Sequence, residues 1–490
     1  MAWKRLWFAA LLLCLTLVPT SRVEAAKNVI LMIADGSGFN SWNATSMYQG
    51  KWDAAKGRST QIYDSPGWVK YACSTFPLNT SKLPTNRGEQ DPKLVYNPST
   101  AWDRQKAYEW LKATNTDSAA AATALSTGHK TYNHAINWSD RNEPIRPTIA
   151  EAAKRAGKSA GVITTVEWSH ATPAGLSNAH VVERDSYAEI AKQMLEGGVM
   201  DVIMGAGNPD FDNNGRPMKG QKEYKYVGGA DCWHAIEAAR AKTDGTYQGF
   251  RPVSTKAEFE ALLSGPTPAK VLGTAQVATT LQQARAGTGI DNPAQDTPRN
   301  ADVPELATMA RAAINVLAKN PKGFFLMIEG GAVDWANHKN HAGRMIQEQA
   351  DFVKAVEAVA EWVEANSSWK DTLLILTADH ETGLIWGPRS DTEPFDPLVD
   401  NGSGKLPGLK YNAKSHSNSL VPVFARGAGS ELLAGVVVGK DPVRGAYVDN
   451  TGLAQVMLRA AAGGKGPAAK PGARDRRPPR RRPAAVPAER

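Results

Sequence analysis

The sequence predicts an α/β fold with a mainly parallel central sheet sandwiched by helices and with surface insertions. Short apolar or β-branched runs alternate with amphipathic helical stretches. Continuously apolar strands separated by helices are typical of parallel sheets that are covered on both faces. The predicted strands span residues 28–34, 159–165, 201–204, 324–328, 372–377 and 421–425, and the predicted helices span residues 148–156, 188–196, 307–317 and 345–365. Because ligands bind beyond the carboxyl ends of such strands, functional residues are expected just after these runs.

The length and composition of the chain allow one large catalytic domain. The chain has 490 residues, of which 42% are hydrophobic, so it can bury a sizeable core. We predict that residues 26–462 form this domain. Stretches rich in Pro, Gly, Asn or Asp predict surface insertions near residues 50–100, 209–298 and 386–415.

Residues 1–25 have the pattern of a secretory signal peptide. Lys4 and Arg5 precede an apolar run, residues 6–18, that is too short to span a bilayer, and Val23-Glu24-Ala25 resembles a cleavage site. No later segment has the length of a transmembrane helix. The mature protein is therefore expected to be exported to the periplasm or the extracellular space, without an integral membrane segment. Export permits a disulfide between Cys73 and Cys232, but buried free thiols are an equally good interpretation.

Most of the net charge of +8 comes from the C-terminal tail. Residues 463–490 contain nine Lys or Arg residues against two acidic ones, in a Pro-rich, low-complexity sequence that predicts disorder. The remaining mature chain is close to neutral. We therefore expect no nucleic-acid binding by the core.

The first two motifs combine a carboxylate with a serine at a helix start. Asp35 follows the first strand and precedes glycines, an arrangement that suits a metal ligand. Ser118 begins an alanine-rich stretch that predicts a helix, with Asp117 before it. An N-cap is the ordinary role of such residues, but a helix N-terminus also favours phosphate, and a metal could activate the serine.

Three further motifs supply polar groups near other strand ends. His170-Ala171-Thr172 is followed by Arg184, and arginine can hold a phosphoryl group through two parallel hydrogen bonds. Glu329 follows the fourth strand, and Asp334 and His338 are spaced to share one helix face and one ion. His341 extends that face as a runner-up ligand. The last group consists of Asp379-His380 after the fifth strand and His416 before the sixth. Together these residues offer enough carboxylate and imidazole groups for two zinc ions and one magnesium ion.

These ordered motifs resemble those of the alkaline phosphatase family. They read DGSG, TDSAAAATA, HATPAG with a later ER, EGGAVDWANH, TADHETG and SHS, and they cover nearly the whole mature core. The resemblance implies an alkaline phosphatase-like fold and the hydrolysis of small-molecule phosphate monoesters through a phosphoserine intermediate. It also implies two Zn²⁺ ions, one Mg²⁺ ion and a homodimer.

The resemblance further implies a role for each matching residue. Ser118 matches the nucleophile, which also binds the second zinc, and Asp117 matches the neighbour that holds the phosphate-binding Arg184. His170 and Trp335 match positions beside the substrate phosphate, where one well-known bacterial version has Asp and Lys. The implied metal ligands are Asp334, His338 and His416 for the first zinc; Asp35, Asp379 and His380 for the second; and Asp35, Thr172 and Glu329 for magnesium.

Two other functions remain as alternatives. Phosphodiesterases of the same superfamily generally resemble this core without its arginine and magnesium set. A non-catalytic phosphate-binding secreted protein would be expected to lack one of the ligands, and none is missing. Sulfatases are less compatible with the sequence, because residues 118–120 lack their C/S-x-P-x-R signature.

Overall fold

A computed structural model of the chain describes residues 26–289 and 292–462. The predicted signal peptide and the predicted basic tail lie outside the described residues. The strands are β1 Asn28–Ala34, β2 Trp52–Asp53, β3 Arg58–Ser59, β4 Val69–Ser74, β5 Ser159–Glu167, β6 Val202–Ala206, β7 Arg251–Val253, β8 Val271–Thr274, β9 Phe324–Gly330, β10 Thr372–Thr377, β11 Glu381–Thr382, β12 Ile385–Trp386, β13 Lys410–Tyr411, β14 His416–Ser417, β15 Val421–Gly427, β16 Val437–Asp441 and β17 Gly445–Asp449. The helices are α1 Phe39–Tyr48, α2 Pro98–Ala101, α3 Glu109–Ala113, α4 Ser118–Thr127, α5 Ile149–Arg155, α6 Ala171–Gly175, α7 Tyr187–Glu196, α8 Ala230–Arg240, α9 Lys256–Glu260, α10 Leu306–Leu317, α11 Ala332–His338, α12 Ala342–Asn366 and α13 Asn450–Ala461.

Eleven of these strands form one mixed, mostly parallel sheet. Their order is β16-β17-β4-β15-β10-β1-β9-β5-β6-β8-β7. The seven strands from β10 to β7 are all parallel, whereas β15 runs antiparallel to both β10 and β4. The predicted fold class is therefore confirmed.

The two faces of the sheet explain why its central strands are apolar throughout. On β1, Val29, Leu31 and Ile33 pack into one hydrophobic cluster, whereas Ile30 and Met32 pack into another on the opposite face. Helices α4, α5, α7, α8 and α13 contribute to the first cluster, and α10 and α12 to the second. Full burial of each large apolar side chain contributes about 1.5–3 kcal/mol to folding. A central strand with helices on both sides therefore gains no stability from alternating polar residues.

All six strands and all four helices named from the sequence are present, with ends shifted by at most three residues. Five strands of the sheet, β4, β7, β8, β16 and β17, were not predicted. Strand β16 is largely exposed and β7 has only three residues. Such short or polar segments lack the continuous apolar pattern that marked the central strands.

The strand order brings the predicted functional residues to one edge of the sheet. Asp35 follows β1, Asp379 follows β10, and Glu329 is the last but one residue of β9, which neighbours β1. Within the described residues, no helix combines the length and apolarity needed to cross a bilayer. Cys73 and Cys232 are both buried free thiols.

Candidate metal and phosphate site

Asp334, His338 and His416 come together as the sequence predicted. Nε2 of His338 lies 3.3 Å from Oδ2 of Asp334 and 3.0 Å from Nε2 of His416. In both rings Nδ1 lies within hydrogen-bond distance of a backbone carbonyl oxygen. His338 contacts the carbonyl of Lys414 at 2.7 Å, and His416 contacts that of Thr116 at 2.8 Å. Donation from Nδ1–H to those carbonyls leaves both Nε2 lone pairs directed at the same point beside a carboxylate. This arrangement is typical of histidine ligands to a metal.

Asp35, Asp379 and His380 form a second cluster. Nε2 of His380 lies 3.5 Å from Oδ1 of Asp35 and 3.2 Å from Oδ2 of Asp379, and all three side chains are buried. Oδ1 of Asp379 accepts a hydrogen bond from the backbone N–H of Gly36 at 3.1 Å, which fixes its orientation. Gly36 has φ +66°, and a Cβ there would come within 2.5 Å of Asp334 Oδ1. Glycine is thus required at position 36, because the backbone is left-handed there and a side chain would clash with Asp334.

A third group contains only oxygen ligands. Glu329 and Thr172 are fully buried, and neither the carboxylate oxygens of Glu329 nor Oγ1 of Thr172 has a hydrogen-bond partner. Glu329 lies opposite Ile33 in the pairing of β9 with β1, close to Asp35. Burial, reinforced by the charge of Asp379, raises the pKa of Glu329 to about 7. Carboxylate and hydroxyl oxygens of this kind are the ligands that magnesium prefers.

Four buried carboxylates lie in these three groups and require a compensating positive charge: Asp35, Glu329, Asp334 and Asp379. Burial and then the charge of Asp379 raise the pKa of Asp35 well above its usual range, and burial and then the charge of Asp334 raise that of Asp379 to about 7. Uncompensated burial of ionised carboxylates costs several kcal/mol each. Because Oδ1 of Asp35 and Oδ2 of Asp379 also lack hydrogen-bond donors, the residues present fit a set of bound cations.

Ser118 lies next to these clusters at the start of α4. Its Oγ is 3.1 Å from Nε2 of His380. Asp117 caps the helix by accepting a hydrogen bond from Ala120 N–H at 3.0 Å. Within a helix, the N–H groups of the first residues have no intrahelical acceptor and are available to an anion.

Asp117 also holds Arg184 beside the serine. A guanidinium nitrogen of Arg184 lies 2.9 Å from Oδ2 of Asp117, with both side chains largely buried. Burial opposes ionisation of Asp117, but the charge of Arg184 and the hydrogen bonds from Arg184 and from backbone N–H groups together outweigh it and lower the pKa of the carboxyl group. The second terminal nitrogen of Arg184 donates to Nε2 of His170 at 3.5 Å. Burial, followed by the charge of Arg184, lowers the pKa of His170 to about 3, so this ring is neutral. The edge of Trp335 packs against His170, with ring centroids 5.9 Å apart.

The structure adds two positioning residues that the sequence did not indicate. Thr382 donates a hydrogen bond to Oδ1 of Asp334 at 2.6 Å, and Oδ1 of Asn133 accepts one from the backbone N–H of Asp117 at 3.2 Å. Thr382 belongs to the TADHETG motif, which could have suggested its role. Asn133 has no such signal. His341, the runner-up ligand, lies just before α12 rather than on α11, and its assignment stays a prediction.

Glu167, on β5, is a further buried carboxyl group near the site. It is fully buried and neither of its oxygens has a hydrogen-bond partner. Burial raises its pKa from an ordinary 4.5 to about 8. Between these values the folded state binds more protons than the unfolded state, so the free energy of unfolding falls as pH rises.

We expect Glu167→Gln to remove this pH-dependent destabilisation. The stability difference between variant and wild type should grow between pH 5 and pH 8 and reach about 2–4 kcal/mol. Denaturant unfolding across this pH range measures it. Glu89→Gln, at an exposed position, is the matched control and should show no such trend. A difference for Glu167→Gln that is constant with pH would contradict the prediction.

Comparison with known proteins identifies the family of this chain. The family model described as alkaline phosphatase matches residues 87–394, which is more than half of the chain. This chain belongs to the alkaline phosphatase family. It is 35% identical to alkaline phosphatase 4 of Bacillus subtilis over 273 residues and 33% identical to alkaline phosphatase 3 of that organism over 368 residues. These matches cover 55% and 74% of this chain, but only 50% and 62% of the relatives' own lengths.

The fold matches solved alkaline phosphatase structures. The enzyme from the Antarctic bacterium TAB5 aligns with a TM-score of 0.55 at 22% identity, covering 90% of this chain and 98% of that one. A His-to-Asp mutant of the TAB5 protein has magnesium bound in its M3 site. At this level of identity the likeness supports the fold.

Proposed function

We propose that this protein is an alkaline phosphatase that hydrolyses phosphate monoesters through a phosphoserine intermediate at Ser118. The observation that carries the proposal is the position of Ser118 Oγ, 3.1 Å from His380 and at the start of a helix. The hydroxyl group thus lies between a cluster of metal-type ligands and an anion-binding backbone. In the proposed reaction Ser118 Oγ forms a bond to phosphorus as the bond to the alcohol oxygen breaks. Water then cleaves the Oγ–phosphorus bond and releases phosphate.

Arg184 would bind the non-bridging oxygens of the phosphoryl group. Its contact with Asp117 fixes the side chain on the Ser118 side of a pocket of about 620 Å³ that both residues line. A guanidinium held in this way can donate two parallel hydrogen bonds to a phosphoryl group. Neutral His170 accepts from Arg184 and so further restricts its orientation.

The proposed metal content is two zinc ions and one magnesium ion. Asp334, His338 and His416 would hold the first zinc, and Asp35, Asp379 and His380, with Ser118, the second. Thr172 and Glu329, with Asp35, would hold magnesium. When bound, such ions lower the pKa of hydroxyl groups and stabilise the charge of the departing alkoxide. The buried carboxylates and imidazole rings of this chain would contribute by positioning the reacting groups and excluding water from them.

Export also belongs to this proposal. The signal-like residues 1–25 support a periplasmic or extracellular location, where phosphate esters would be met before uptake. The homodimer implied by the family resemblance stays a prediction.

Substitution of Arg184 by serine tests whether the enzyme is a monoesterase. A monoester dianion presents three terminal oxygens, whereas a diester replaces one of them with a bulky group. Each hydrogen bond to a charged group contributes about 1.5–3 kcal/mol, so we expect Arg184→Ser to lower kcat/KM for an aryl monoester by roughly tenfold to several hundredfold. The loss on the matched aryl diester should be much smaller.

Arg155→Ser is the matched control, because Arg155 is an exposed arginine on α5. It should change neither activity. Equal losses on both esters in Arg184→Ser would mean that Arg184 is structural, and would favour the phosphodiesterase alternative if the wild type also prefers the diester.

His170→Asp is expected to tighten magnesium binding by about tenfold, since groups around a metal's ligands change affinity by this order. Nδ1 of His170 is buried without a hydrogen-bond partner, so an anionic oxygen at this position would bring a new negative charge toward the magnesium residues. Magnesium titration of the zinc-loaded protein by calorimetry measures the change. His170→Asn controls for size without charge and should not tighten binding. Identical titrations for His170→Asp and wild type would refute the expectation.

A further inference from the structure

The outer part of the catalytic pocket is lined by two lysines and a tryptophan. Lys82 and Lys339 are exposed, and neither ammonium group has a hydrogen bond or ion pair with another described residue. The acidic side chains that line the same pocket, Asp117 and Asp334, are buried. Asp117 is paired with Arg184 and Asp334 contacts His338. The mouth of the pocket therefore presents positive charge that is not balanced by an exposed acidic side chain of its lining.

The two lysines come from separate parts of the chain. Lys339 follows α11 directly, and its backbone N–H reaches the carbonyl of Trp335 at 3.4 Å, so both residues project from one face of the helix end. Lys82 lies between β4 and α2. Half-buried Trp335, which packs against His170 and lies one helical turn before Lys339, offers an apolar surface in the lining of the pocket.

A bound ester would extend from the buried serine toward this rim. Ser118 is 2% exposed, whereas the lysines are at the surface. With the phosphoryl group at Ser118, the alcohol part of the substrate has only the outer lining of the pocket to contact.

We propose that this rim selects phosphate monoesters whose alcohol part carries a second negative charge. The inference rests on the proposed function and specifies its substrate class. Lys82 and Lys339 bind the second anionic group, and Trp335 packs against the body of the alcohol. The attraction between the lysines and the second anionic group is electrostatic and acts at a solvent-exposed position, so it weakens as the salt concentration rises.

The test compares two aryl monoesters that differ in one charge, 4-carboxyphenyl phosphate and 4-carbamoylphenyl phosphate. The ratio of kcat/KM for the carboxylate ester to kcat/KM for the carbamoyl ester is measured for the metal-loaded wild type, Lys82→Gln, Lys339→Gln and the double variant. Comparison of this ratio between proteins cancels the intrinsic reactivity of the leaving groups. Lys370→Gln is the control, because Lys370 is also exposed but precedes β10 at the opposite edge of the sheet.

At low ionic strength the double variant should reduce the preference for the carboxylate ester by about threefold to tenfold, with smaller losses in the single variants. The effect should shrink in about 1 M salt, and Lys370→Gln should leave the ratio unchanged. An unchanged ratio in the double variant, or an equal fall in the control, would overturn the inference while leaving the phosphatase proposal intact. Absence of turnover of both esters by the wild type would overturn both.

Discussion

Replacement of Ser118 by alanine should abolish monoester hydrolysis, with kcat falling by roughly four orders of magnitude or more. Among the described residues, two hydroxyl groups contact a ring nitrogen of His380, those of Ser118 and Thr382. Of these, only Ser118 lies at the start of a helix. Removal of Oγ eliminates the atom that would bond to phosphorus. The capping contact of Asp117 and the contacts among the metal-type ligands do not use this atom.

The fold and the metal content should therefore survive in Ser118→Ala. Steady-state kinetics with an aryl monoester measures the loss of kcat, and elemental analysis measures the metal content. Ser126→Ala is the matched control, since Ser126 is a buried serine further along the same helix. A Ser118→Ala protein that retains more than about one hundredth of wild-type kcat would contradict the proposed nucleophile.

Removal of metal should have an effect of similar size. In the described residues the carboxylates of Asp35, Glu329, Asp334 and Asp379 are all buried. Burial, and then the charges of the other three carboxylates, raise the pKa of Asp35 well above its usual range. Without cations these groups repel one another, and the ring nitrogens of His338 and His416 lose their shared partner. Exhaustive chelation should therefore eliminate monoesterase activity and lower the melting temperature.

Addition of zinc together with magnesium should restore both activity and thermal stability, and either metal alone should restore less. Asp334→Asn provides a specific check, because it removes one charge from the first cluster and should lower bound zinc by about one equivalent per chain. Full activity in a preparation shown by elemental analysis to be metal-free would contradict the account.

The local sequence was sufficient to predict the positions of those proposed metal ligands that lie at strand ends. Asp35 and Asp379 follow apolar runs whose strands prove to be neighbours, and the spacing of Asp334 and His338 placed them on one face of α11. In each case a local pattern determined the position, and the parallel sheet brought the positions together.

The remaining contacts depend on pairings between distant segments. His416 is oriented by the carbonyl of Thr116, which is 300 residues earlier, and Lys82 reaches the catalytic pocket from an irregular segment after β4. Neither relation has a local periodicity or spacing. Strand β4 was not predicted, and neither was the antiparallel direction of β15 between β10 and β4, because β4 contains a lysine and is only half buried. Long-range packing decides such features, and only the folded structure reveals them.

The most direct test of the central claim is to trap the covalent intermediate. The metal-loaded protein would be mixed with an aryl phosphate monoester, quenched in acid, digested and examined by mass spectrometry. A phosphoserine ester is stable in acid, so the proposed mechanism predicts one phosphorylated peptide that contains Ser118 and that is absent from the Ser118→Ala variant. Phosphate found on another residue, or on the same peptide in the variant, would contradict the assignment of Ser118 as the nucleophile.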